Sequence, residues 1–412
     1  MTANATQDSP VVGLMLTGGG ARAAYQVGVI KAVAELLPDD VNNPFPVITG
    51  TSAGAINAAV LASQAGDFRA GAQRLEEVWA NLSIGMVYRH DWRTVFGTGF
   101  KWALSLALGG LGNRNPHSLL DNSPLRELLL ETVGFRRIAR NLASGHLQAL
   151  GITVSGYTSA RSITYYQCHQ TRCRPWERSR RIGLPASIRV EHLMASSAMP
   201  FIFPAIQVGR EFCGDGVIRQ SAPLSPAIHL GADRLLVVGV RNEDPNDLPA
   251  PGEPVEYPTF GHIAGYMLDT LFMDALQSDV ERLQRINATL GHVSKPGDRA
   301  EIGLRHVDCE VVVPSEDVRE VARRHADRFP RTVRMLLAGV GALDTGGRQL
   351  MSYLLFEGTY TRELIDLGYR DTMQRRDYMR DYLCGREAVS PPGKVSAAAS
   401  GQGYGAPDEP SA

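Results

Sequence analysis

The chain has 412 residues, of which 44% are hydrophobic and 21% are charged. This composition is that of a globular protein with room for one large domain or two modest ones. Its 42 Lys and Arg residues nearly balance its 43 Asp and Glu residues, which gives a formal net charge of −1. A global field that would hold nucleic acid or an anionic membrane is therefore excluded, and any such contact must be local.

The first ten residues, MTANATQDSP, contain neither a positively charged region nor a long apolar run. We therefore expect no secretory signal and take cytoplasmic residence as the default. The apolar run WALSLALGGLG at 102–112 is well short of the roughly 20 residues that a membrane-spanning helix needs. With its aromatic neighbours Phe96, Phe100 and Trp102 it is suited to a lid or a membrane-touching patch, and equally to a buried helix of the core.

The cysteines are odd in number and scattered, at positions 168, 173, 213, 309 and 384. This pattern favours reduced thiols over a disulfide framework. Cys168, His169 and Cys173 offer metal-binding atoms, but their spacing matches no common zinc site and a second pair is missing. We therefore expect neither a metal nor another cofactor.

The N-terminal part predicts two successive strand–turn–helix units. VVGLMLT at 11–17 is a continuous apolar run that ends in three glycines, as a buried parallel strand does when it enters a tight turn. Apolar residues then recur at helical spacing over 24–34. FPVITG predicts a second strand and AGAINAAVLASQAG a second helix, so an α/β sheet with helices on its faces is favoured.

The same patterns predict several further elements. They are helices over 68–82 and 119–144, a hairpin of strands at 147–157 and 162–168, and a buried strand at 235–240. After residue 241 come a Pro-rich stretch, a helical region to about 290, the strand CEVVVP and more helices to about 384. The low-complexity end of the chain predicts a disordered tail.

Gly50-Thr51-Ser52-Ala53-Gly54 fits the G-x-S-x-G elbow that presents a nucleophilic serine between a strand and a helix. The flanking glycines allow a tight bend, and the helix N-terminus favours developing negative charge. The alternative is that Ser52 only caps an alanine-rich helix.

The glycine triplet Gly18, Gly19 and Gly20 lies between the first strand and the first helix, where backbone N–H groups can converge on an oxyanion. Arg22 is placed either to steady this loop or to approach a phosphate. A dinucleotide-binding loop is the rival interpretation, because Gly18, Gly20 and Ala23 imitate G-x-G-x-x-G/A. The acidic residues about 20 positions on, however, lie in a loop before the next strand rather than at its end.

A nucleophilic serine needs a base, and none of the ten histidines lies in an obvious catalytic setting. Asp215 is a better candidate because Gly214 and Gly216 flank it and allow close approach. Desolvation would raise the pKa of its carboxyl towards a useful range. The alternative is that Asp215 and Gly216 form a simple hairpin turn.

The glycine triplet with its nearby arginine, the G-x-S-x-G motif and the distant Asp-Gly pair together resemble the patatin-like phospholipases over about residues 10–242. The segment ASSAMPFIFPAI resembles the apolar approach to that family's catalytic aspartate. The resemblance implies a three-layer α/β fold, with a mainly parallel central sheet flanked by helices, followed by a mostly helical C-terminal region.

The resemblance also implies roles for individual residues. Ser52 would be the nucleophile, Asp215 its only partner in a Ser-Asp dyad, and Gly18, Gly19 and Gly20 the oxyanion hole. The supporting residues would be Arg22, Gly50, Gly54 and Gly216, with no metal. Ala23 and Val217 depart from the family, which commonly has glycine at the first position and glycine or alanine at the second. Val217 is bulky enough to shift the Asp215 loop, and its effect on activity is left open.

The implied function is hydrolysis of fatty acyl esters of lipids, of phospholipase A or lysophospholipase type, through an acyl-enzyme. A non-catalytic lipid-binding or scaffold protein on the same fold is the alternative. We expect a lipid partner and no nucleic acid, with peripheral membrane contact as a second option to purely cytoplasmic residence. The predicted divisions are a flexible N-terminus at 1–9, the acyl hydrolase domain at 10–242, a helical region at 243–388 and a disordered tail at 389–412; the oligomeric state is left open.

Overall fold

The computed structural model describes residues 10–91, 118–169, 173–242, 257, 259–292, 304–339, 341 and 348–385. The predicted flexible N-terminus, the apolar run at 102–112 with Phe96, Phe100 and Trp102, most of the Pro-rich stretch and the predicted tail lie outside the described residues.

The described strands join into a single mixed sheet. In chain order they are β1 (Val12–Leu16), β2 (Val47–Thr51), β3 (Ala149–Gly156), β4 (Ser162–Cys168), β5 (Trp176–Arg178), β6 (Arg181–Pro185), β7 (Ile206–Val208), β8 (Glu211–Asp215), β9 (Arg234–Val238) and β10 (Asp308–Val312). The order across the sheet is β10-β9-β1-β2-β3-β4-β6-β5, and β8 pairs with both β3 and β7. The neighbours from β10 to β3 are all parallel, while β3 and β4 form the predicted antiparallel hairpin.

Helices cover this sheet. In chain order they are α1 (Ala24–Leu36), α2 (Ala53–Ser63), α3 (Phe68–Ala80), α4 (Ile84–Val87), α5 (Ser123–Thr132), α6 (Phe135–Ala143), α7 (Val190–Ser196), α8 (Ser225–His229), α9 (Phe260–His292), α10 (Val318–Arg324), α11 (Arg331–Gly339), α12 (Arg348–Leu354), α13 (Gly358–Met373) and α14 (Arg376–Leu383). Short 3-10 helices occupy Gly20–Ala23, Gly216–Arg219 and Ala326–Arg328. In the described part of the chain, no helix is long and apolar enough to span a bilayer.

The central strands are buried on both faces, which explains their continuous apolar sequences. Within β1, Leu14 and Leu16 belong to the larger hydrophobic core, while Met15 between them belongs to a second core. Successive strand side chains point to opposite faces, so the two cores lie on the two sides of the sheet. The result is the expected three-layer α/β architecture with a mainly parallel sheet.

The helices near the C-terminus pack into the same large core as the first helix. A Cβ atom at Gly28 of α1 would lie 1.9 Å from the carbonyl oxygen of Ile365 in α13, and one at Gly368 would lie 2.2 Å from the carbonyl oxygen of Tyr25. These two glycines let the backbones of α1 and α13 approach closely. β10, which also comes from the C-terminal part of the chain, pairs in parallel with β9 at one edge of the sheet.

Cys168 and Cys173 form a disulfide, with their Cα atoms 6.2 Å apart. The expectation of reduced thiols is therefore wrong for this pair. These two cysteines are five residues apart in the chain, and their closeness in space is not revealed by counting cysteines in the sequence. Cys213 and Cys384 are free thiols.

Candidate active site

The sheet register explains why residues far apart in sequence meet at one edge. Val154 of β3 pairs with Ile163 of β4 on one side and with Asp215 of β8 on the other. β8 therefore lies on the β2 side of β3, directly beyond Thr51, where β2 ends opposite Thr153. The carboxyl ends of parallel β1 and β2 point to this same edge, as expected for a site in an open α/β sheet.

Ser52 lies in a strained turn between β2 and α2. Its φ angle is 56°, in the left-handed region that costs a non-glycine residue about 1–3 kcal/mol. Gly54 makes the turn possible, because a Cβ atom there would lie 2.4 Å from the carbonyl oxygens of both Leu16 and Thr17. Gly50 is equally restricted, with a Cβ position 2.3 Å from the carbonyl oxygen of Gly54. Ser52 therefore occupies a sharp bend between β2 and α2.

The hydroxyl of Ser52 donates a 2.6 Å hydrogen bond to Oδ2 of Asp215. Both side chains are buried, with exposed fractions of 3% and 1%. The other carboxylate oxygen of Asp215 accepts a 3.1 Å hydrogen bond from the backbone N–H of Val217, at the start of the 3-10 helix. One oxygen of the carboxylate is thus held by the backbone, and the other faces the Ser52 hydroxyl.

Burial raises the pKa of Asp215 from its ordinary value of 3.8 to about 7, although the hydrogen bonds from Ser52 and from the Val217 N–H act to lower it. A carboxylate in water is a weak base, whereas one with a pKa near 7 is matched to proton transfer at neutral pH. The pair therefore has the geometry and the basicity that serine activation requires.

The backbone N–H of Ser52 is held by Ser196, the last residue of α7. It donates a 2.9 Å hydrogen bond to the Ser196 hydroxyl, which in turn donates a 2.7 Å hydrogen bond to the carbonyl oxygen of Thr153. All three residues are buried. This link fixes the elbow to the end of β3, and so to the strand that also positions Asp215.

The glycine triplet follows β1 and turns into the 3-10 helix that precedes α1. Gly20 has a φ angle of +55°, and both it and Ser52 line the same cavity. In the described part of the chain, neither the Gly18 N–H nor the Gly19 N–H donates a hydrogen bond. The role of these glycines as an oxyanion hole stays a prediction.

A buried polar network supports this glycine loop from behind. The side-chain amide of Gln26 in α1 donates a 2.8 Å hydrogen bond to the carbonyl oxygen of Thr17, directly before Gly18. Asn57 of α2 donates a 3.0 Å hydrogen bond to Gln26 and accepts one of 2.8 Å from the indole N–H of Trp79. The loop and the elbow are thus joined through the two helices that follow them.

A family model of patatin-like phospholipase matches residues 14–228. The chain belongs to the patatin-like phospholipase family. This family is one of lipid acyl hydrolases, and the matched residues contain the glycine triplet, the Ser52 elbow and Asp215.

Among solved structures, VipD from Legionella pneumophila is similar to this chain at 13% sequence identity, covering 92% of this chain and 69% of VipD, with a TM-score of 0.33. No curated protein matches the chain.

Val217, the departure from the patatin-like pattern beside Asp215, does not displace the carboxylate. Its side chain is buried in the large core and its N–H holds Asp215, whose carboxylate accepts the hydrogen bond from Ser52. A Cβ at Gly216, by contrast, would lie 2.2 Å from the carbonyl oxygen of Thr153, so this position accepts only glycine.

An apolar cavity opens beside Ser52. Its wall includes residues from four helices and from the segments that follow α7 and α12, among them Ile56, Val60, Leu75, Trp79, Leu129, Phe203 and Phe356. Ser197 also lines it, and its buried hydroxyl has no hydrogen-bond partner among the described residues. The shape and chemistry suit a hydrocarbon chain attached to a polar group at Ser52.

Sequence reasoning missed several residues that hold the site. Ser196 and Ser197 lie inside ASSAMPFIFPAI, which sequence analysis treated only as an apolar segment. Two adjacent serines in an apolar run are a signal that could have identified them, because buried hydroxyls need partners. Among the described residues there is no cluster of three or more His, Cys, Asp or Glu side chains suited to a metal ion.

Proposed function

We propose that this protein is a serine esterase that cleaves fatty acyl esters of lipids, as a phospholipase A or lysophospholipase does, by a Ser52–Asp215 dyad. The observation that carries the proposal is the 2.6 Å hydrogen bond from the Ser52 hydroxyl to the buried Asp215 carboxylate. Family membership supports the general class of reaction.

In the proposed first step, the Ser52 oxygen attacks the ester carbonyl carbon and Asp215 takes the serine proton. Negative charge develops on the carbonyl oxygen, where the N–H groups of Gly18, Gly19 and Gly20 stabilise it. One such donor is worth on the order of 3 kcal/mol of the barrier. Asp215 then returns the proton to the leaving alcohol, and the acyl group stays on Ser52.

In the second step, water attacks the acyl-enzyme while Asp215 takes a proton from it. The tetrahedral intermediate collapses, the proton passes to Ser52, and the fatty acid leaves. A single carboxylate serves both steps because its pKa of about 7 lets it accept and release a proton near neutral pH.

The proposed substrate carries a long acyl chain, since the cavity beside Ser52 is almost wholly apolar. Burying such a chain is favourable by about 0.8 kcal/mol for each methylene group. Glycerophospholipids, lysophospholipids and neutral lipid esters all present this chain. Peripheral membrane contact is part of the proposal, because these lipids reside in or near bilayers.

An alkyl fluorophosphonate tests the nucleophile directly, because it reacts with an activated serine and leaves a stable phosphonyl group. We expect wild-type protein to be labelled at Ser52, as located by mass spectrometry of peptides, and Ser52→Ala and Asp215→Asn to stay unlabelled. Ser83→Ala, which removes an exposed hydroxyl, serves as the matched control and should label fully. Absence of labelling in folded wild-type protein would favour the non-catalytic lipid-binding alternative.

A further inference from the structure

Residues far beyond the family match lie directly against the glycine loop. The family match ends at residue 228. Residues 352–356, which form the last turn of α12 and the segment after it, lie near the edge of the sheet where β2 ends before Ser52. Phe356 lines the cavity beside Ser52, and the hydroxyl of Tyr88 donates a 3.0 Å hydrogen bond to the carbonyl oxygen of Leu354. This segment therefore belongs to the surroundings of the site.

Arg22 connects the glycine loop to this segment. It is fully buried in the 3-10 helix that begins at Gly20, and its Nε donates a 2.8 Å hydrogen bond to the Ser352 hydroxyl. Its Nη2 donates to the carbonyl oxygen of Gln349 at 3.3 Å. The guanidinium carbon lies 3.9 Å from the ring centroid of Tyr353. Arg22 thus points away from the cavity, which favours its expected role in steadying the loop over contact with a phosphate.

A buried guanidinium is stable only where its charge and its donors are matched. A hydroxyl, a carbonyl oxygen and an aromatic face contribute to this match, and desolvation makes the contact between cation and ring stronger than it is in water. Asp317 also lies near enough for the charge of Arg22 to lower the pKa of its carboxyl. Ser352 is itself fixed, because its hydroxyl donates a 2.6 Å hydrogen bond to the Gln349 carbonyl oxygen. Two partners of Arg22, Ser352 and Gln349, are therefore also joined to each other.

The backbone of Tyr353 also touches the loop. A Cβ atom at Gly20 would lie 2.3 Å from the Tyr353 carbonyl oxygen, and one at Gly19 would lie 2.4 Å from Cγ2 of Val240. The loop is enclosed between the segment after β9 and the end of α12. A shift of the Tyr353 backbone would consequently change the direction of the N–H groups at Gly19 and Gly20.

We propose that Ser352 and Tyr353 are positioning residues which, through Arg22, hold the glycine loop in the conformation that binds the oxyanion. The inference rests on the proposed function. Under this proposal, two residues outside the family match contribute to catalysis by holding the glycine loop in place. A displacement of about 1 Å at a reacting group can lower the rate by about a hundredfold, so small losses of order in this loop have measurable effects.

The test compares Ser352→Ala and Tyr353→Leu with wild type, using a long-chain nitrophenyl ester. Tyr353→Phe keeps the aromatic face and is the conservative control. Tyr369→Leu removes another ring that lies near a cation, 5.5 Å from Lys31, but away from the loop, and it controls for loss of an aromatic residue in this region. Thermal unfolding establishes which variants are folded, and Ser352→Ala carries the test if Tyr353→Leu does not fold.

The oxyanion exists only after attack, so loss of loop order should lower kcat and leave KM nearly unchanged. We expect kcat to fall roughly 10- to 100-fold in Ser352→Ala and Tyr353→Leu, with KM within about twofold of wild type. Tyr353→Phe and Tyr369→Leu should retain wild-type kcat.

A second readout separates positioning from general destabilisation. An alkyl trifluoromethyl ketone accepts the Ser52 oxygen at its carbonyl carbon while Asp215 takes the proton, which leaves an oxyanion in the glycine loop. Its inhibition constant should rise by the same factor by which kcat/KM falls, while inhibition by a long-chain primary alcohol, which fills the cavity but carries no negative charge, should not change. Parallel weakening of both inhibitors would indicate loss of the cavity and would overturn the proposal.

Measuring Ser52→Ala beside these variants distinguishes failure of the positioning role from failure of the proposed esterase function. If it is inactive while folded Ser352→Ala and Tyr353→Leu keep wild-type kcat, only the positioning role is overturned. If Ser52→Ala hydrolyses the ester as wild type does, or if wild type is inert, the proposed function falls and this inference falls with it.

Discussion

The substitution Asp215→Asn is expected to abolish catalysis and at the same time to stabilise the fold, by an amount that depends on pH. Asp215 is 1% exposed, and burial raises its pKa from 3.8 to about 7. An unfolded chain ionises this group near 3.8, so between these pH values the folded state holds a proton that the unfolded state has lost. Stability therefore falls as the pH rises through this window and is constant, as far as this group is concerned, above it.

The magnitude follows from the two pKa values, because a difference of one in pKa corresponds to about 1.4 kcal/mol. The raised pKa of Asp215 lowers the free energy of unfolding by about 4 kcal/mol at pH 8 and by about 2 kcal/mol at pH 5. The neutral amide of Asn makes no pH-dependent contribution to the free energy of unfolding. We expect the stability advantage of Asp215→Asn over wild type to be about 2–3 kcal/mol larger at pH 8 than at pH 5.

Urea unfolding of both proteins at the two pH values measures this difference. Any loss of hydrogen bonding caused by the amide is the same at both pH values and cancels in the comparison. Asp366→Asn, at an exposed position on α13, is the matched control and should show no such difference. An advantage for Asp215→Asn that is equal at pH 5 and pH 8 would refute the claim that Asp215 is a desolvated base.

Three further predictions concern the reaction and its cavity. Because Asp215 must be ionised to accept a proton, kcat/KM should fall about tenfold per pH unit below pH 7 and level off above it, and a pH-independent rate between pH 5 and 8 would contradict this. Ser196→Ala leaves the Ser52 N–H unpaired, so urea unfolding should show a free energy of unfolding lower by about 1–3 kcal/mol. Steady-state assays should show a kcat at least about tenfold lower, and an unchanged kcat would exclude a role for Ser196 in holding the elbow. Leu129→Trp fills the cavity and should reduce kcat/KM at least about tenfold for palmitoyl esters but much less for butyryl esters, whereas Leu130→Trp on the exposed face of the same helix should alter neither.

Much of the fold could be predicted because its strands are short apolar runs bounded by glycines. β1, β2, β9 and the hairpin of β3 and β4 all lie where the patterns place them, to within a few residues. The path of β8 could not be predicted, because its position beyond the end of β2 is set by long-range pairing with β3. Motif order, rather than any local pattern, was the only indication that Asp215 would meet Ser52.

The C-terminal region shows where sequence patterns cease to be informative. Its helices were predicted as elements, but nothing in the sequence near Ser352 indicates that α12 reaches the glycine loop. The division at residue 242 stays a prediction, and β10 from beyond it pairs with β9 in the main sheet. The contact between Arg22 and Tyr353 joins residues 331 positions apart, a pairing that only the packed core determines.

Release of fatty acid from phospholipids, lysophospholipids and short-chain nitrophenyl esters is the most direct test of the Ser52–Asp215 account. The assay compares wild type with Ser52→Ala and Asp215→Asn, each checked for folding by circular dichroism. The account predicts turnover by wild type on at least one long-chain lipid and none by either variant. Equal activity in all three folded proteins would contradict the dyad, and equal inertness would favour a lipid-binding protein that has kept the fold without the reaction.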